Sequence, residues 1–393
     1  MHSSISSSNL TVLERPHSGV SVLESPPAPS IPPPEEFKRP IPALPWLKIL
    51  LAVASTTLVL MIAWEIEMRH LGLRAGDLDD GRPEWAVERR KVDTGPRDSV
   101  VIIGDSRILL DTDLDTWQRL TGRRPIQLAL LGTNAQPILH DIAADEHFAG
   151  LLVIGTAEFS YFTGDGNAKP AVLNYFKTET PSQRVGQQIH RTLSRYFAFL
   201  DHHYTLSKLI ENHRWPERKG VDGPYLDNWK VSETYDDRQS YLWERIERDD
   251  YLRRQAQTIW TYFFSGPPVR PEKVQQVSAS TKADIDRIRA RGGEVVWVRP
   301  PSSGPLLDIE HARYPRAKVW DKLVHDTGAF GVYFEDYSEM RNFTLPDWSH
   351  LTKSSAIAFT DAYVRVLRDR VEWLDSDRHK VLSGNKNPPE VMQ

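Results

Sequence analysis

Three regimes of apolar and polar patterning divide the chain. Residues 1–45 have no apolar period: Ser3 to Ser8 is nearly all serine, and prolines recur from Pro26 to Pro45, including Pro32-Pro33-Pro34. Such a segment buries too little apolar surface to offset its ordering entropy and is predicted to be a disordered tail. Residues 46–65 are the opposite. No charge interrupts Ile49 to Trp64, Lys48 lies where a long side chain can snorkel, and Trp46 and Trp64 bracket the run. A helix of this length and hydrophobicity is predicted to span a bilayer. No small-residue cleavage site follows Met61-Ile62-Ala63-Trp64-Glu65, which argues against a removable signal peptide. Residues 66–97 turn polar again (Asp77, Asp79, Asp80, Glu88, Arg89, Arg90) and are predicted to be a stalk.

From residue 98 the pattern is that of a folded domain running to about 378, with a tail at 379–393. Val100-Val101-Ile102-Ile103-Gly104 is an apolar, β-branched run ended by glycine, which predicts a buried strand. Ile108–Leu120 follows as a helix with Leu110, Leu114 and Trp117 inward. Ile126–Leu130, a helix over Pro137–Phe148, and a strand over Leu151–Ile154 ended by Gly155 complete a βαβαβ pattern and predict a parallel sheet. Residues 160–290 interrupt it. A turn-rich loop (Tyr161–Lys169) leads into helical patterns at Ser182–Glu211 and Tyr241–Phe264, and Gly266-Pro267-Pro268 closes them. A helix over Val274–Arg291, a strand over Glu294–Val298, a short strand at Val332–Phe334 and a last helix over Lys353–Leu367 resume the α/β rhythm.

Composition narrows the classes. With 393 residues the chain can hold a substantial core, and 49 basic against 53 acidic residues leave no excess that would favour nucleic acid. The absence of cysteine removes disulfides, thiolate catalysis and cysteine-bound metals, and suits an extracytoplasmic domain. The positive-inside count is a tie: Lys38, Arg39 and Lys48 precede the span, and Arg69, Arg74 and Arg82 follow it.

Two stretches carry candidate chemistry. Gly104-Asp105-Ser106-Arg107 places a hydroxyl at the end of a strand and the start of a helix, where open α/β sheets keep their ligands and where helix N–H groups favour negative charge. The same residue types also make an ordinary helix cap. Asp347-Trp348-Ser349-His350 puts a carboxylate and an imidazole in one loop before the last helix. Imidazole is the base that serine needs at neutral pH, and a nearby carboxylate fixes its tautomer. Taken together, the two loops predict a nucleophile, Ser106, a base, His350, and an orienting acid, Asp347, on one edge of the sheet. Arg107 and Arg299 are candidate anion-binding residues beside them. Asp201-His202-His203 has metal-ligand residue types, but adjacent residues on a helix diverge, so it is taken as a solvated helix face, and no metal is expected. His140, Asp141 and His147 are likewise expected at the surface.

Gly104-Asp105-Ser106, Gly132 after the second strand and Asp347-x-x-His350 near the end resemble the SGNH, or GDSL, hydrolase superfamily, over about residues 98–375 outside the insertion. The resemblance implies a three-layer α/β/α sandwich of flavodoxin-like type and a Ser106–His350–Asp347 triad without a cofactor. It also implies an oxyanion hole formed by the Ser106 and Gly132 N–H groups. The family's third block supplies an Asn; here the matching stretch is Gly155-Thr156-Ala157-Glu158, and Asn134 is the substitute. This departure and the single anchor resemble members linked to surface-polysaccharide O-acylation of the alginate O-acetylation type, in which a membrane-embedded acyltransferase supplies the acyl group.

The expected function is therefore a membrane-anchored serine esterase or O-acyltransferase. It would act on an acyl, by expectation acetyl, ester of a cell-surface glycan, from a single-pass position in the cytoplasmic membrane with the domain outside. The alternative is a non-catalytic glycan-binding or scaffold subunit that uses Trp215, Tyr225, Trp229 and Trp260 of the insertion.

Overall fold

A computed structural model describes residues 42–162, 171–211, 213–214, 225–226, 230–261 and 267–374. Most of the N-terminal tail, the whole of 379–393, most of the loop at Tyr161–Lys169, and Trp215 and Trp229 lie outside the described residues. Two compact units are distinguished, Met1–Ser55 and Thr56–Gln393. Described residues of the first comprise the approach to, and the opening turns of, one helix, Trp46–His70. This helix has 25 residues, and its apolar 18-residue window has a mean hydropathy of 2.1 with none of its residues buried; it is long and apolar enough to cross a membrane.

The second unit is an α/β fold around a parallel sheet. Its strands, in chain order, are β1 (Val100–Gly104), β2 (Ile126–Gln127), β3 (Leu151–Gly155), β4 (His213–Arg214), β5 (Tyr225–Leu226), β6 (Ser232–Thr234), β7 (Ser240–Leu242), β8 (Glu294–Arg299) and β9 (Phe330–Tyr333). Five form the main sheet in the order β2-β1-β3-β8-β9, all parallel; β4 with β5 and β6 with β7 are separate antiparallel pairs within the insertion. β1 and β3 are buried along their whole length, as β-branched and leucine-rich strands of a covered parallel sheet must be. In this order the chain reverses direction across the sheet between β1 and β3, and ligands of open α/β sheets bind beyond the carboxyl ends of such a pair.

Those ends are bare for a reason. Gly104 and Gly155 are partners in register. A Cβ on Gly104, whose φ is +154°, would stand 1.8 Å from the Gly155 carbonyl oxygen, and one on Gly155 would stand 2.2 Å from the Ile108 side chain. Two glycines thus let the helix Ser106–Asp111 sit tightly over the strand ends.

Several expected elements change: the second strand is short, Ile126–Gln127, and the helical pattern at Tyr241–Phe264 opens in β7 and holds two helices, Glu244–Arg248 and Asp250–Thr261. The single helix over Ile108–Leu120 is two, Ser106–Asp111 and Leu114–Thr121. Asp113 caps the second through its carboxylate, which accepts from Thr116 N at 2.6 Å, while Asp113 N donates to Thr360 at 2.8 Å. The final helix extends further, over Lys353–Arg370. The stalk at 66–97 is corrected most: it contains a helix, Arg82–Thr94, packed into the domain. Trp85 is fully buried in the main core and its indole donates to the Leu128 carbonyl at 3.0 Å. Arg89 is buried against Asp141 (2.9 Å) and Asp145 (3.0 Å). Those partners lie some fifty residues away, so the segment's charges look solvated when taken alone.

Candidate active site

The Leu345–Leu351 loop folds around one carboxylate. Asp347 Oδ1 accepts from Ser349 N at 3.0 Å and from His350 N at 2.8 Å, and its Oδ2 faces His350 Nδ1 at 2.6 Å. Trp348 takes a positive φ of 70° at the apex, a backbone state rare for a bulky side chain and most often found where function over-determines the structure. Asp347 and His350 are both buried. Burial pushes the Asp347 carboxyl up, but the His350 charge and the hydrogen bonds from its ring and from two backbone N–H groups outweigh this, so it stays below the usual carboxylate range. Burial pushes the His350 imidazole down, but the Asp347 carboxylate against it prevails, and its pKa is raised. With Nδ1 held by the acid, Nε2 is left buried with no hydrogen-bond partner among the described residues.

The same pocket holds Ser106. A cavity of about 530 Å³ is lined by Asp105, Ser106, Gly132, Asn134, Phe159, Ser160, Trp260, Asp347 and His350, with Leu131, Val231, Ala256 and Ile259 making its walls apolar. Its polar members thus come from the turns after β1, β2 and β3 and from the loop before the last helix. Ser106 begins the helix Ser106–Asp111, which Asp105 caps by accepting from Arg107 N at 3.1 Å. The second Asp105 oxygen accepts from Ala157 N at 2.9 Å and from the Ser160 hydroxyl, tying the β1 turn to the β3 turn. Ser106 and His350 both line the cavity, but His350 Nε2 makes no hydrogen bond to the Ser106 hydroxyl. Catalytic hydrogen bonds are often loose before substrate arrives. Gly132, at φ +61°, brings its backbone to the same cavity, and neither its N–H nor that of Ser106 donates to another group among the described residues.

Other expected site residues are placed differently. Asn134 lines the cavity, but its amide donates to the Tyr161 carbonyl at 3.1 Å and its oxygen accepts from Gln136 N at 2.9 Å. Its oxygen caps its own loop and its amide ties that loop to the helix Glu158–Phe162, while the Ser106 and Gly132 N–H groups remain at the cavity. Arg107 and Arg299 are corrected as substrate-binding residues: each is 1% exposed, and neither lines the cavity. Arg107 donates to Ser349 Oγ at 3.0 Å and grips Glu310; Arg299 donates to Glu158 at 2.8 Å and Glu310 at 2.6 Å; Ser302 also donates to Glu310. These buried charges are satisfied by one another, and through Ser349 they brace the His350 loop. The Asp201-His202-His203 trio is a turn and not a solvated helix face. Its ligand atoms lie within 4.8 Å of one another, but Lys230 binds both Asp201 and, at 2.6 Å, Asp77, so an ammonium already balances the carboxylates there. Of the residues expected at the surface, His140 is exposed, while Asp141 is half-buried by its pairing with Arg89.

Two residues that bear on the site were not singled out for it. Asp111 is fully buried behind His350; its Oδ1 accepts from Leu351 N at 2.9 Å, its Oδ2 has no partner among the described residues, and burial pushes its carboxyl up to about 8. An acid at the end of the apolar run Ile108-Leu109-Leu110 was the available signal. Trp260, noticed only as an aromatic of the insertion, packs its ring 5.8 Å from that of His350.

The chain matches no known protein-family model and no curated protein sequence, so the arrangement of these side chains is what bears on function.

Proposed function

We propose that the protein is a membrane-anchored serine ester hydrolase or O-acyltransferase of SGNH type, acting outside the cytoplasmic membrane on an acyl ester of a surface glycan. The observation that carries this reading is the buried, unpartnered Nε2 of an imidazole oriented by Asp347, in a cavity that also holds Ser106. The sheet order, 2-1-3-4-5 when the five strands are counted along the chain, is that of flavodoxin-like folds and supports the three-layer α/β/α arrangement. In the reaction the Ser106 oxygen attacks the acyl carbonyl carbon while its proton passes to His350 Nε2. The carbonyl oxygen becomes an oxyanion facing the Ser106 and Gly132 N–H groups. Collapse breaks the bond to the alcohol, which takes the proton from His350 and leaves Ser106 acylated. Water or a sugar hydroxyl, deprotonated by the same imidazole, then releases the acyl group by hydrolysis or transfer. The partners are the glycan ester and, for transfer, a membrane-embedded acyltransferase that delivers the acyl group.

A second reading, a glycan-binding or scaffold subunit, draws on the Asn134 amide being occupied by the Tyr161 carbonyl and on Trp260 lining the cavity. A fluorophosphonate probe separates the two. Adduct formation at Ser106, lost in Ser106→Ala and in His350→Ala, supports the enzyme; no adduct in the intact protein, together with glycan binding, supports the scaffold.

A further inference from the structure

One helix of the insertion, Pro181–Ser194, is built inside out. Its inward stripe is polar. The Gln187 amide donates to Glu84 at 2.8 Å, Arg191 donates to Asp236 at 3.1 Å, and Ser194 is buried, its carbonyl accepting from Gly76 N at 2.6 Å. Its outward stripe is apolar: Val185, Ile189 and Leu193, four residues apart, are 60%, 55% and 44% exposed, and Tyr196 follows at 68%. From residue 71 onward, seven of the nine large apolar side chains exposed among the described residues fall between 185 and 210, so the patch is not random scatter. A surface helix in water turns the other way, and a contiguous apolar face marks a contact with something apolar.

The chain itself indicates what that is. Immediately after this helix, Ala198 N and Phe199 N donate to the Glu65 carboxylate at 3.1 and 3.0 Å, and Arg69 donates to the Tyr196 carbonyl at 3.4 Å. Glu65 is the first charged residue after the uncharged run that ends at Trp64. Trp64, Met68 and Leu71 pack with Ala198 and Phe199 in an apolar cluster around Tyr204 and Trp243. The segment that carries the patch is therefore fastened where the spanning helix leaves the hydrocarbon. We propose that the outer face of Pro181–Ser194 lies in the headgroup region of the bilayer that the spanning helix crosses, as interfacial amphipathic helices do. It would give the domain a second line of membrane contact that limits its tilt. This goes beyond the esterase reading and depends only on the span.

The absence of cysteine makes the test direct. Ile189→Cys, Leu58→Cys in the span and Ile357→Cys on the last helix are each labelled with an environment-sensitive fluorophore in the full chain. Each is then reconstituted alone into phosphatidylcholine–phosphatidylglycerol vesicles. The expected result is that label 189 is quenched by headgroup-region spin-labelled lipid and shielded from iodide, several-fold relative to label 357, while label 58 is quenched by acyl-chain spin labels. Label 189 behaving like label 357 overturns the proposal, because the face then waits for a protein partner or none. Label 58 reporting water overturns it as well, by removing the span.

Discussion

At the scale of single residues, the site depends on which proton each buried group holds. In the proposed reaction His350 can act as a base only when neutral, and Asp347 holds its pKa above the ordinary value of about 6.5. Ester hydrolysis by the intact protein is therefore expected to rise with pH through a midpoint above 6.5, measured as kcat/KM against pH. Asp347→Asn, which removes both the tautomer lock and the charge, is expected to lower kcat on the order of 10³–10⁴-fold and to move that midpoint down. Asp111 makes a separate prediction about stability. Its folded pKa, about 8, lies above its unfolded value of about 3.9, so wild type is unpenalised below pH 4 and loses stability progressively as pH rises to 8. Denaturant titrations should show Asp111→Asn gaining on wild type across that window and no further above it; a constant difference would count against the assignment. Ser106, His350 and Asp347 were legible because catalytic residue types stand at telling places in the chain. Asp111 was not, because its shift comes from tertiary burial.

At the scale of elements, patterning found what is repetitive and missed what is paired. β1, β3 and β8 were visible as apolar runs, since a strand covered on both faces needs no partner information to look buried. The helix Arg82–Thr94 was invisible because Glu84 and Arg89 are buried against groups far along the chain, Gln187 and Arg191 for the first and Asp141 and Asp145 for the second, and only Trp85 hinted at an inner face. Trp85→Ala tests whether the segment belongs to the fold: about 3–5 kcal/mol lost in chemical denaturation is expected for a core tryptophan, against little change for a stalk. The two-helix break at Thr112-Asp113 escaped for a related reason. A capping Asp is common enough that only its partners, Thr116 N and the Tyr241 hydroxyl, show it ending one helix and starting another.

At the scale of the whole molecule, a buried chain of charge from Glu158 through Arg299, Glu310 and Arg107 to Ser349 ties the ends of β1, β3 and β8 to the His350 loop. Replacing Glu310 by Gln leaves two buried guanidinium groups short of a carboxylate. A cost of about 3–5 kcal/mol is expected in unfolding experiments, with loss of esterase activity though no cavity-lining atom has changed. The arginines were read as anion-binding residues because sequence position puts them at the ligand edge, which is correct, but position does not say whether a charge faces the cavity or the core.

By itself the sequence determined a long apolar helix near the N-terminus, a parallel α/β domain with an interrupting insertion, and three residues suited to acyl chemistry. These follow from local composition and period, which act over a few residues. Only the tertiary structure decided that Arg107 and Arg299 are braces, that Asn134 ties its loop to the Tyr161 carbonyl, that residues 82–94 are core, and that one helix shows its apolar side outward. Each of those depends on which distant group meets a side chain, and burial energy is set by that meeting and not by the side chain alone.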